Sequence, residues 1–366
     1  MIPIAMDYPL IIALIGALGI GVATGITSCY AVLKEQSLLG DAIAHASLPG
    51  ICLAFLITLN RSPLALLTGA LIAGMFGIWL ITQINRHSFL KTDTALGVIL
   101  SVFFGFGTML LTVIQTIPTA RQAGIDTFIF GQIASLLITD IGIIWCVSGG
   151  IVAVTLIFWK EFKIILFDAN YATGLGISVP KISLLLNSLL VISIVIGLQS
   201  VGVILMSALV IAPATAAKQW SHNLGWLMIL SVLFSCVSCV GGVLFSSAYA
   251  HLPSGPTIVV LISLMVIVSL LGSSNGIIAK AIQRLSVKKT LQIDTIINGL
   301  YALATSHDDH SHPHDIRALT FLNHPPSPQL LKQLMNDGYV YQSSVDHWGL
   351  TEAGIARAIQ NTKAYP

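Results

Sequence analysis

Long apolar runs divided by short polar breaks dominate the first three quarters of the chain. Crossing a hydrocarbon core takes about 20 apolar residues as helix. On that measure residues 9–32, 45–59, 63–84, 95–114, 140–159, 181–197, 201–217, 224–245 and 255–272 are candidate spans. The 45–59 run is short and must borrow length from its neighbours. The stretch 181–217 is too long for one helix, and the pattern breaks it near Gly197-Leu198-Gln199-Ser200. The expectation is nine helices, or eight if one is a half-helix. Gly16, Gly19, Gly21 and Gly25 stripe the first run, and Gly21-xxx-Gly25 is a spacing that lets helices pack closely.

After residue 272 the pattern changes. Asp315–Leu322 and Pro328–Asn336 read as helical, Gly338 as a helix stop, and Tyr339–Gln342 as a strand. A further helix is expected from Thr351 to about Gln360. That order outlines a small α+β, winged-helix-like module. The expected domains are a transmembrane unit (1–275), a helical linker with a histidine-rich tract (276–314), and the winged-helix-like unit (315–366).

Composition sharpens this division. Hydrophobic residues make up 55% of the 366 and charged residues 9%, against about 25% charged in soluble domains. Residues 1–272 hold 17 of the 32 acidic and basic side chains, and the last 94 hold the other 15. The first part is a polytopic membrane protein and the second has ordinary soluble composition. The net charge of +2 gives no argument for nucleic acid. The recognition-like stretch Ser327–Asn336 carries only Lys332 as a base, so nucleic acid is not an expected partner. Lys34, Arg86 with Lys91, Lys160 with Lys163 and Lys181, and Lys218 fall in alternate loops, and the tail continues the set. By the positive-inside rule those loops and the C-terminus are cytoplasmic.

Against this apolar background the run Ser37-Leu38-Leu39-Gly40-Asp41-Ala42-Ile43-Ala44-His45 stands out. Ionisable groups inside a membrane are retained when they are paired, solvated or functional. Asp41 and His45, four residues apart, face the same side of a helix. A hard oxygen and a borderline nitrogen together suit a divalent transition metal. The competing reading is an acid at a helix start beside a core histidine. Two ligands make a poor site, whereas two copies across a two-fold axis would supply four.

Phe167-Asp168 to Gly176 reads as a short helix between two spans, with Asp168 as N-cap and Gly176 near its end. It is either a lever for a soluble partner or a plain connector. His307, His310, His312 and His314 form a tract that could hold a metal loosely as an auxiliary site, or serve only as a solvated linker. No Gly-x-x-x-x-Gly-Lys-Ser/Thr occurs, so ATP binding by a P-loop would need a separate subunit.

Several motifs together carry a family resemblance. They include Leu38-Leu39-Gly40-Asp41-Ala42 with His45 and Leu48-Pro49-Gly50; Thr92-Asp93-Thr94-Ala95-Leu96-Gly97; and Phe130-Gly131-Gln132. Phe167-Asp168 with Ala172 and Gly176, Gly197-Leu198-Gln199-Ser200-Val201-Gly202, Ala212-Pro213-Ala214 and Leu252-Pro253-Ser254-Gly255-Pro256 complete the set. Residues 8 to about 275 thereby resemble the integral membrane permeases of bacterial ABC transporters for manganese, zinc and iron uptake. The resemblance implies an all-α fold of the vitamin B12 and siderophore importer type in the bacterial cytoplasmic membrane. It implies a second permease, homo- or heterodimeric, an ABC ATPase below, and a periplasmic or surface metal-binding protein outside. The chain itself would be a transport subunit, not an enzyme, with no permanent cofactor. Mn, Zn or Fe would pass as cargo. The resemblance assigns Asp41 and His45 to the metal path, and Asp168, Ala172 and Gly176 to the segment that couples to the ATPase. His251 stands where such permeases usually carry an acid. The end of the tail partly resembles diphtheria-toxin-repressor-type regulators. The alternative function is a secondary metal transporter driven by an ion gradient.

Overall fold

The computed structural model describes residues 7–59, 62–116, 131, 133, 136–249, 252–273, 276–305, 312–321, 327–344 and 346–364. Phe130, Gln132, His251, His307 and His310 lie outside the described residues. The chain forms two compact units, Met1–Gly276 and Ile277–Pro366.

The long elements described in the first unit are all helices. Its helices are α1 (Tyr8–Leu33), α2 (Ser37–Thr58), α3 (Pro63–His87), α4 (Thr92–Gln115), α5 (Ile138–Ile157), α6 (Trp159–Phe167) and α7 (Ala169–Gly174). They continue as α8 (Val179–Val201), α9 (Val203–Lys218), α10 (Leu224–Ala248) and α11 (Ser254–Gly272). Among the described residues, eight helices are long and apolar enough to cross a membrane. The ninth expected span is α9, at 16 residues. A helix of that length rises about 24 Å, short of the ~30 Å hydrocarbon core. The short 45–59 run does borrow length: α2 begins at Ser37.

The break in 181–217 lies beyond the expected site. Gly197 to Ser200 stay helical, and the chain turns at Gly202, whose φ of 90° and ψ of 160° no other residue type adopts readily. Gly197 serves packing instead, because the Met206 thioether lies where a Cβ would go.

α1 is buried on nearly every face from Gly16 to Ala31, as befits a central helix that is apolar all round. Gly21 and Gly25 press against the backbone of α10 at Cys236 and Val232. Short polar side chains then lock the neighbours together. Thr24 and Ser235 share a hydrogen bond of 2.8 Å, and the Ser231 hydroxyl donates to the Gly25 carbonyl at 2.7 Å. Pro213 interrupts α9, and the Ala214 N–H that follows donates to the Ser28 hydroxyl at 3.0 Å. A neighbouring serine thereby satisfies backbone beside a proline, the remedy a bilayer demands.

Gly50 of α2 and Gly69 of α3 meet backbone to backbone. A Cβ on either would overlap the other's carbonyl oxygen. Gly50→Val is therefore expected to destabilise the purified protein by about 3 kcal/mol, at the upper end of overpacking costs. Thermal unfolding in detergent reads this. An unchanged midpoint would show that the two helices can separate freely.

The second unit begins with α12 (Ile277–Thr305). The expected linker is thus a helix whose C-terminal half places Ile293, Ile296, Ile297 and Leu300 in the unit's own core, with Leu319, Leu334, Trp348 and Leu350. β1 (His314–Asp315), β2 (Val340–Gln342) and β3 (His347–Leu350) form an antiparallel sheet in the order β1-β3-β2, with His314 opposite Trp348 and Val340 opposite Leu350. α13 (Pro328–Asn336) and α14 (Glu352–Ala364) complete it. The helix expected over Asp315–Leu322 is replaced by β1 and a 3-10 turn, Ile316–Phe321. Asp315 Oδ1 accepts the Arg317 N–H at 2.9 Å, a local bond that competes with helix formation. Gly338 does stop α13, at φ 77°. Arg357 ties α14 to α12 through Asp294 at 2.9 Å and lies over the Tyr339 ring, 4.8 Å from its centroid.

Candidate metal site

The turn between α1 and α2 places Gly40 and Asp41 in the first turns of α2. Gly40 abuts Val210 of α9, with room for no larger side chain without displacement: a Cβ there would sit 3.2 Å from Val210 Cγ1. Ala42, Ile43, Ala44 and Ala46 are buried. The Asp41 side chain is 33% exposed and that of His45 14%, so the pair occupies the least covered stripe of this part of α2. Both belong to one helical face, as their spacing requires.

His45 Nε2 lies 3.4 Å from Asp41 Oδ1. That is long for a charge-assisted hydrogen bond, which runs at roughly 2.7–2.9 Å. It does match two ligands of one ion. With metal–ligand bonds of about 2.1 Å each, a separation of 3.4 Å subtends an angle of roughly 108°, a tetrahedral bite. The Ser207 hydroxyl of α9 also donates to the Asp41 carboxylate. Phe104 of α4 packs edge-on to the imidazole, ring centroids 4.7 Å apart. His45 Nδ1 is buried and has no hydrogen-bond partner among the described residues. Tight metal sites usually anchor that second nitrogen on a carbonyl or carboxylate. This imidazole lacks such an anchor, which favours brief ligation over storage. Among the described residues no third histidine, cysteine, aspartate or glutamate joins the pair.

The connector between α5 and α8 is built for presentation. Phe162 of α6 is buried and meets the Tyr30 ring of α1 edge-on at 5.3 Å. Asp168 caps α7, its Oδ1 accepting the Tyr171 N–H at 2.9 Å. Gly176 ends the segment with φ 79°. Ala172 is 0% exposed and faces inward. The large apolar residues of the exposed surface are Phe167, Tyr171 and Leu175, which are 63%, 60% and 54% exposed. The sequence pattern points to Asp168 as a cap and Gly176 as the helix end, and the family resemblance adds Phe167 and Ala172. Tyr171 and Leu175 are singled out by neither, although with Phe167 they make three large apolar residues at four-residue steps.

In the histidine-rich tract, the described His312 and His314 rings lie 5.2 Å apart, centroid to centroid. Elsewhere the structure reveals a buried acid that the sequence did not single out. Asp140 Oδ2 accepts the Leu137 N–H at 3.0 Å and Gln199 Nε2 at 3.3 Å, tying α5 to the end of α8.

This architecture is that of a multi-pass membrane permease. Residues 6–273 match the ABC 3 transport family, to which the chain belongs. It is 41% identical over 273 residues to the zinc transport system membrane protein TroC of Treponema pallidum, covering 74% of this chain and 92% of that protein. It is 40% identical over 289 residues to the manganese transport system membrane protein MntC of Bacillus subtilis, covering 79% of this chain and 66% of that one. Among solved structures it resembles PsaBC from Streptococcus pneumoniae in complex with Fab. That likeness has a TM-score of 0.66 and 31% identity, over 74% of this chain and 94% of that chain. The importer-type helical fold expected from the motifs is therefore the observed one. The family match ends before the second unit begins.

Proposed function

We propose that this chain is the membrane permease of an ATP-driven importer of a divalent transition metal, Mn, Zn or Fe. The observation that carries the reading is the Asp41–His45 pair, whose 3.4 Å separation fits two ligands of one ion. The zinc and manganese relatives support that class of cargo. The imidazole and carboxylate hold the ion in transit. A second permease, identical or paralogous, faces the first and supplies the remaining ligands from the same positions. Binding stays weak enough to release the ion, as conduction requires.

Energy enters from below. A separate ABC ATPase docks on the segment around Asp168–Gly176, with Phe167, Tyr171 and Leu175 as the contact. ATP shifts the population between outward- and inward-open states. A periplasmic or surface protein delivers the metal outside, and the C-terminus lies in the cytoplasm. The gradient-driven alternative lacks the support that membership of an ABC family gives this reading.

Whole-cell Mn, Zn and Fe contents, measured in limiting medium with and without the gene, test the proposal. One of the three is expected to fall severalfold on deletion. A P-loop ATPase is expected to co-purify with the tagged protein. Unchanged contents of all three metals would overturn the import reading.

A further inference from the structure

Among the described residues, α12 contributes to the core of the second unit from Ile293 onward. Ile277, Ile278, Lys280, Ala281, Gln283, Lys289, Thr290 and Leu291 are all exposed. This is a four-turn stretch of helix with large aliphatic residues left uncovered.

Its sequence is not that of a simple solvated spacer. At 3.6 residues per turn, Ile277, Ile278, Ala281, Ile282 and Leu285 fall within a sector of about 140°. Lys280, Arg284 and Lys288 follow one edge of that sector at four-residue steps, and Lys289 lies near the other edge. Gln283, Ser286 and Thr290 take the opposite side. No aspartate or glutamate occurs between Asp168 and Asp294, so no acid on the stretch offsets its four cations. An apolar strip flanked by lysine and arginine is the pattern of helices that lie in a membrane interface.

The start of α12 is also held near the bilayer. α11 ends at Gly272. Ser269 near that end and Ser273 just past it are pinned within the membrane unit. Ser269 accepts from Trp220 Nε1 at 3.1 Å, and the Ser273 hydroxyl donates to the Gln219 carbonyl. These bonds lie beside Lys218, on the face where the basic loops collect. Anionic headgroups attract basic segments within about a Debye length of the surface. A helix beginning five residues after a span is tethered inside that range.

We propose that residues 277–291 form an interfacial helix that binds the anionic phospholipids of the chain's own bilayer. The aliphatic strip enters the headgroup region and the four cations bind headgroup phosphates. The surface is separate from the metal path and does not depend on which ion is carried.

The test uses the full chain in nanodiscs of phosphatidylcholine, or of phosphatidylcholine mixed with phosphatidylglycerol, read by amide hydrogen exchange. Amides of 277–291 are expected to exchange at least about tenfold more slowly with phosphatidylglycerol present. The gain should disappear in K280Q/R284Q/K288Q/K289Q and at high salt. It should survive in K280R/K288R/K289R. Inorganic phosphate added to phosphatidylcholine discs should give no protection; protection there would mean a site for free phosphate and would overturn the proposal. Exchange in α1 and around Ile296–Leu300 reports whether each variant is folded. Equal, fast exchange in both lipids would show a solvated charge run. Slow exchange in both, unaffected by removing the charges, would show cover by protein. Either result overturns the proposal.

Discussion

Asp41→Ala and His45→Ala are each expected to reduce metal uptake by more than about 100-fold while leaving the protein folded. Groups that merely orient a metal ligand are worth 10–100-fold in affinity or activity, so loss of a ligand itself must exceed that range. Both side chains lie on the least covered stripe of this part of α2, while the residues between them are buried. Asp41→Ala therefore costs little packing, whereas His45→Ala also loses the contact with Phe104, so thermal unfolding of each variant is measured beside uptake. Uptake of radioactive or isotopically labelled metal into cells measures the loss, and co-purification with the ATPase confirms assembly. His45→Asn should recover less than Asp41→Glu, because an amide oxygen is a weaker ligand than imidazole for these ions. Normal uptake in both alanine variants would remove the pair from the metal path.

Tyr171→Ala is expected to weaken binding of the ATPase about 30-fold, and Tyr171→Ala/Leu175→Ala to uncouple the two proteins. A buried aromatic anchor at an interface is worth about 2 kcal/mol or more, and 1.4 kcal/mol is tenfold in affinity. Tyr171 has little burial to lose in the permease alone, being 60% exposed. The variants should thus unfold at the native temperature yet lose metal-dependent ATP hydrolysis in proteoliposomes. Ala172→Leu should behave oppositely. Ala172 is fully buried, so the larger side chain would lower thermal stability first. If Tyr171→Ala leaves ATP hydrolysis coupled to transport, the contact lies elsewhere on the segment.

The membrane helices were legible because lipid imposes one rule on every span. Backbone polar groups must be satisfied within the helix, and side chains must be apolar over a fixed length. Gly21 and Gly25 were legible for a related reason, since close approach between helices in lipid needs small residues. The break between α8 and α9 was placed too early. Composition points to Gly197, but only the packing of Met206 against it shows that Gly197 belongs inside a helix and Gly202 at the turn. In the tail, Asp315–Leu322 has helical composition. The pairing of His314 and Asp315 with β3 overrides it, because a strand partner from 32 residues later enters no local pattern.

The spacing of Asp41 and His45 determined that they share a face, since four residues are close to one helical turn. The sequence likewise determined that the chain crosses a membrane many times and carries a separate polar unit. Only the tertiary structure decided that the shared face is the less covered one, with Ser207 and Phe104 beside it from α9 and α4. It alone decided that Ala172 turns inward while Phe167, Tyr171 and Leu175 turn out. Periodicity states which residues lie together on a helix. Which side of that helix is covered depends on neighbours distant in sequence, and those are chosen by packing.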